Sequence, residues 1–73
     1  MLNITHEPTK DFYNNYIVAA TSIDEVITEM IPRIRKRSQE FYKLNIREEL
    51  EKKSSTIIDQ HAGNGNFYII KIL

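Results

Sequence analysis

Arg33, Lys36 and Arg37 are the densest cluster of charge in the chain. With Lys43 and Arg47 further on, helical spacing strings them along one side of a helix, where cations can track phosphates. The same run also reads as an ordinary solvated face, its cations filling the C-terminal half of a helix opened by Asp24, Glu25 and Glu29. Nearby Glu40, Glu48, Glu49 and Glu51 dilute the positive field, so a nucleic-acid-binding regulator is the second expectation rather than the first. Glu48, Glu49 and Glu51 form an acidic face of their own. Together with Arg33, Lys36, Arg37 and Tyr42 they are the residues expected to meet a partner.

Catalysis finds less to work with. Asp24-Glu25 and Glu48-Glu49 are adjacent carboxylates, but Glu25 and Glu48 each suit a helix start, and nothing around them signals the burial that raises a carboxyl pKa. His6 and His61 are the only imidazoles, and neither has a second ligand at metal spacing. Gly63-Asn64-Gly65 lacks the Lys-Ser/Thr of a phosphate-binding loop and reads as a turn. There is no Cys, which removes thiol nucleophiles, disulfides and Cys-based metal sites together. An enzyme, a metal and a cofactor are therefore not expected.

Aromatic residues come in three adjacent pairs, Phe12-Tyr13, Phe41-Tyr42 and Phe67-Tyr68. Neighbours on a strand point to opposite faces and neighbours on a helix diverge by about 100°. Each pair is expected to give Phe to the core and Tyr to the boundary, where Tyr either finishes a small core or meets a partner.

These side chains must be positioned by one domain, residues 1–73. A chain of this size buries only about 60% of its unfolded surface, so self-association or a partner is expected to supplement a thin core. Ten basic and ten acidic residues cancel, leaving no global attraction to nucleic acid or an anionic membrane. No basic leader and no apolar run of membrane-spanning length is present, which leads us to expect a soluble, cytoplasmic protein.

Two capping boxes punctuate the chain, Ser22-Ile23-Asp24-Glu25 and Asn45-Ile46-Arg47-Glu48. Ahead of the first, residues 2–6 and 12–20 have strand character around a turn-rich Glu7 to Asp11, which suggests a hairpin. From Ile23 a stripe of Ile23, Val26, Ile27, Met30, Ile34, Phe41 and Leu44 predicts one long helix that Pro32 kinks rather than ends, a break there being the competing reading. A second helix follows from Asn45, with Ile46, Leu50, Ile57 and His61 on one face. Glu48/Lys52 and Glu49/Lys53 are expected i,i+4 pairs on its surface.

Residues 54–62 read two ways. Helix to Ala62 with a stop at Gly63 is preferred; the alternative is a strand from Thr56 that returns through Asn64-Gly65. Asn66 to Leu73 is the strongest strand, apolar on both faces apart from Lys71. The expected architecture is α+β: a small antiparallel sheet of two or three strands, with the long kinked helix and the second helix packed on one face.

The order strand, Thr21-Ser22, helix, strand is similar in outline to the dodecin-like flavin binders. The Trp that stacks on flavin there has no counterpart, so no flavin function is carried over. In size, neutral charge and isolation of the domain, the chain resembles small phage-encoded proteins that block host machinery, anti-CRISPR proteins among them. That resemblance implies a non-enzymatic interaction module, a small inhibitor or regulator that occludes a protein partner's surface, with a homodimer in prospect. The alternatives are the nucleic-acid regulator and a homo-oligomer that binds a ligand between subunits.

Overall fold

Asn66 to Ile72, the strongest strand sequence, takes an interior place in a four-stranded sheet. The structure is a computed structural model that describes residues 2–7 and 14–73. In chain order the elements are β1 (Asn3–Glu7), β2 (Asn14–Ala20), α1 (Ile23–Met30), two 3-10 turns (Ile31–Arg33 and Lys36–Ser38), α2 (Gln39–Lys53), β3 (Ser55–Ile58) and β4 (Asn66–Ile72). The sheet order is β1-β2-β4-β3. β1 and β2 pair antiparallel, β2 and β4 parallel, and β3 and β4 antiparallel. The fold is thus α+β, but the sheet is mixed rather than antiparallel because β4 lies parallel to β2, and it is larger than expected because Ser55–Ile58 adds a fourth strand.

Strand alternation sorts the side chains onto two faces. Val18, Ala20, Ile58, Tyr68 and Ile70 point to one side and pack with Val26 and Met30 of α1 and Ile46 and Leu50 of α2. Ile31, Ile34 and Ala62 close that core at the end where the helices are joined. None of the described residues buries a polar or charged side chain. No helix among them is long and apolar enough to cross a membrane.

The first box forms in part: the Ser22 hydroxyl accepts from the Glu25 N–H at 3.1 Å, while the Glu25 carboxylate reaches one residue past the cap and accepts from the Thr21 N–H at 3.0 Å. The second does not, since Asn45 lies inside α2. The long helix breaks as well. Pro32 has no N–H to continue the ladder, the chain tightens into a 3-10 turn, and Ile34 adopts an extended conformation with ψ 146°. That break resets the helical phase. α2 takes its phase from Ile46 and Leu50, which turns Tyr42 inward and leaves Phe41 and Leu44 64% and 63% exposed. Phe67-Tyr68 behaves the same way, with Tyr68 buried and Phe67 on the other face of the sheet. The expected division of Phe inside and Tyr outside is therefore reversed in both pairs. The pair Phe12-Tyr13 lies outside the described residues, as does most of the turn between the first two strands.

Residues 55–58 are strand rather than helix. α2 ends at Ser54, whose left-handed backbone (φ 61°) donates its N–H to the Leu50 carbonyl at 3.1 Å. A two-residue return through Asn64-Gly65 would have set Asp59 opposite Ile70. The chain instead uses a wider turn, so that Thr56 faces Ile70 and Ile58 faces Tyr68. In that register Ile58 reaches the core and Ile57 does not, leaving Ile57 52% exposed.

Candidate functional site

Two surfaces hold the side chains that the fold leaves without an internal task. The first lies where the helix break meets the turn between β3 and β4. That turn is tightly tied: the Gly63 N–H reaches the Asp59 carbonyl at 2.8 Å, the Gly65 N–H the Gln60 carbonyl at 2.7 Å, and the Ala62 N–H the Asp59 carboxylate at 3.0 Å. The break is fastened to it by the Arg35 N–H on the Ala62 carbonyl at 2.6 Å and by the Asn64 amide on the Arg33 carbonyl at 3.0 Å. The Gln39 side chain donates to the Ile34 carbonyl at 3.0 Å, so the extended residue is held from both directions.

Between these walls is a cleft of about 210 Å³ lined by Arg35, Arg37, Ser38, Tyr42, Asp59 and His61 over the buried Ala62. Burial pushes the Tyr42 phenol above its ordinary pKa, and the Asp59 carboxylate pushes the same way. Tyr42 is therefore a protonated hydroxyl across the neutral range.

The expected basic stripe does not assemble. Arg33 and Lys36 belong to separate 3-10 turns and neither lines the cleft, whereas Arg37 does. Its continuation is occupied: Lys43 pairs with Glu40 at 3.3 Å and Arg47 with Asp24 at 3.1 Å. Arg35, His61, Ser38 and Asp59 join Arg37 and Tyr42 only through the tertiary fold. Their convergence depends on the break after Met30, which sequence periodicity treated as a kink.

Nor do the acidic residues share one face. Glu49 turns toward β3 and pairs with Lys53 at 3.1 Å, while Glu48 and Glu51 stay exposed on the side of α2 that also carries Phe41 and Leu44. Glu49 and Lys53 flank a groove of about 350 Å³ that runs along the β3 edge to Ile57 and Ile69.

The second surface is the face of the sheet opposite the helices. By alternation it carries Thr5, Ile17, Ile69 and Ile57 as one cross-strand row, in the register that pairs Thr5 with Ile17, Ile17 with Ile69 and Ile57 with Ile69. Ala19 and Phe67 extend the apolar area along β2 and β4. Asn3, Asn15 and Ser55 rim it, and among the described residues its charges are Glu7 on β1 and Lys71 on β4. Among the described residues no element packs over this face. In sequence β4 is apolar on both faces apart from Lys71, the pattern of a strand covered on both sides or lying at an edge, and the sheet order places it in the interior. No set of three or more His, Asp or Glu among the described residues is grouped to hold a metal ion.

Comparison with known proteins returns no matching family model, no matching curated protein and no matching solved structure.

Proposed function

We propose that the protein is a non-enzymatic interaction module that works as a homodimer, joined through the uncovered faces of two sheets. One observation carries this reading: the apolar row Ile17, Ile69 and Ile57 crosses the middle of a face that nothing among the described residues covers. A second copy is the occupant that suits it. Among its described residues the face is polar at the rim, apolar at the centre and carries one charge of each sign, so a twofold axis sets like against like in the centre without net repulsion.

Size supports a reversible dimer. The 23 strand residues, at a spacing of about 4.8 Å between strands and about 3.3 Å along them, give a flat footprint near 360 Å². That is roughly half of the 800 Å² per partner found in a standard stable interface, before side-chain relief is counted. Dimerisation through the sheets leaves both helical layers facing outward. The exposed side of α2, with Phe41, Leu44, Glu48 and Glu51, is then free to occlude a protein partner in the manner of a small inhibitor or regulator.

Sedimentation across a concentration series tests the reading. The expected result is a monomer–dimer equilibrium that Ile57→Lys abolishes while leaving the circular dichroism spectrum unchanged. A chain that stays monomeric throughout, or a dimer insensitive to Ile57→Lys and Ile69→Lys, overturns it.

A further inference from the structure

We infer that the cleft between the helix break and the β3–β4 turn is a binding site for a phosphate monoester. The lining carries Arg35 and Arg37 against the single carboxylate of Asp59, a net charge of +1 with His61 neutral (2 − 1), and +2 with His61 protonated. Neither arginine has an ion pair among the described residues, whereas Lys43, Arg47 and Lys53 of α2 each have one. Two arginines without an ion pair line one concavity, and their guanidinium groups are planar donor forks for an anion that fills it.

The remaining donors select the shape of the anion. Ser38, Tyr42 and His61 line the same cleft as the two arginines, and their side chains carry two hydroxyls and an imidazole. A planar carboxylate is satisfied by one fork. Donors on five side chains suit a tetrahedral group with three terminal oxygens. At about 210 Å³ the cleft exceeds the needs of a bare ion, since about 10–15 Å³ of such volume holds one water, and leaves room for part of the group that carries the phosphate.

Asp59 has a structural reason to stand in an anion site. Its Oδ1 accepts from the Ala62 N–H at 3.0 Å and so shapes the turn that forms one wall. The walls are also tied before any ligand arrives, by the Arg35 N–H on the Ala62 carbonyl and the Asn64 amide on the Arg33 carbonyl. Little ordering then remains to be done on binding.

A tracking site for a nucleic-acid backbone is the less favoured reading, because Arg33 and Lys36 do not line the cleft with Arg35 and Arg37. This inference does not rest on the sheet-face dimer, and its test reads a different part of the molecule. Isotope-labelled protein is titrated at constant ionic strength with phenyl phosphate, then with inorganic phosphate, and backbone amide shifts are followed. Saturable shifts confined to residues 35–42 and 59–62 are expected. Arg35→Gln and Arg37→Gln should each weaken binding about tenfold, as loss of a charge-assisted hydrogen bond does. Asp59→Asn keeps the turn acceptor and removes the opposing charge, so it should tighten binding about threefold. Arg33→Gln and Lys36→Gln should change nothing. Shifts that never saturate, or a loss in Arg33→Gln and Lys36→Gln equal to that in Arg35→Gln and Arg37→Gln, overturn the assignment; tighter binding of a single-stranded oligonucleotide with the latter pattern replaces it with phosphodiester tracking.

Discussion

Tyr42 connects the core to the cleft, and its ionisation reports on both. Burial is the larger cause of its raised pKa and Asp59 the smaller, so Asp59→Asn should return the phenol only part of the way toward its ordinary value. An ultraviolet titration of the tyrosines checks this, with Tyr42→Phe identifying the late-titrating group. The sign of the stability effect follows from linkage. In the unfolded chain the phenol keeps its ordinary pKa and gives up its proton first, so the contribution is whole below that value and is lost as pH rises through the higher folded pKa. Denaturation at alkaline pH should therefore be less steep in Tyr42→Phe than in the parent chain. If Asp59→Asn restored Tyr42 completely, burial would not be the main cause. Ser54 is the other residue whose local state has a measurable consequence. It sits in the left-handed region at φ 61° with a side chain attached, at the position where α2 hands over to β3. Glycine meets no such penalty there, and Ser54→Gly should raise unfolding stability by about 1 kcal/mol in a denaturant titration. Gly63→Ala should act in the opposite sense, because a Cβ there would collide with the Asn66 carbonyl and the turn that carries Asp59 would have to open.

Where elements begin and end depended on whether local signals or tertiary ones decided the matter. Ser22 capping α1 was legible because the cap is a contact between residues three apart. The pairing of β1 with β2 and the strand at β4 were legible for a similar reason, as runs of β-branched and aromatic residues with turn residues between the first two. Asn45 carried the same signature as Ser22 and misled, because Ile46 and Leu50 bury a continuous face of a helix that already begins at Gln39. The break after Met30 was visible as Pro32, but its consequence was not. Phase is lost across eight residues of 3-10 and extended chain, so Phe41 and Leu44 could not be assigned to a face by counting from Ile23. Residues 55–58 were the hardest to read. Whether Ile57 or Ile58 enters the core is decided by the register with β4, and that register is set by a seven-residue turn rather than by Asn64-Gly65 alone. The candidate cleft inherits both uncertainties, since one wall is the break and the other is the turn. Arg37 and Tyr42 could be nominated from their types; Arg35, Ser38, Asp59 and His61 required the fold that brings residues 35–42 against residues 59–62.

At the scale of the whole molecule, the distribution of apolar surface sets where further stability has to come from. The chain has a radius of gyration of 11.3 Å, close to the roughly 11 Å of a fully compact domain of its length, so little is left to gain by tighter folding of a single copy. One face of the sheet is already covered by both helices, and on the other, among the described residues, no element covers the half-buried Ile17 and Ile69 or the exposed Ile57. Covering that face with a second copy ties folding to association, because dimer formation withdraws folded chains from the folding equilibrium. For a folded dimer that unfolds to monomers, a tenfold rise in concentration adds about 1.4 kcal/mol per dimer, or about 0.7 kcal/mol per chain. With about 2.1 cal/mol/K of unfolding entropy per residue, 73 residues turn that into an increase in Tm of about 4–5 °C for each tenfold step. Thermal scans over two such steps should show the rise in the parent chain and none in Ile57→Lys. The Ile57→Lys monomer should in turn melt at a temperature independent of concentration, with its β4 amides exchanging faster than in the parent. A parent chain with a flat Tm across the series would mean that the open face contributes nothing to its stability, and that the sheet and its single helical layer suffice to hold the fold.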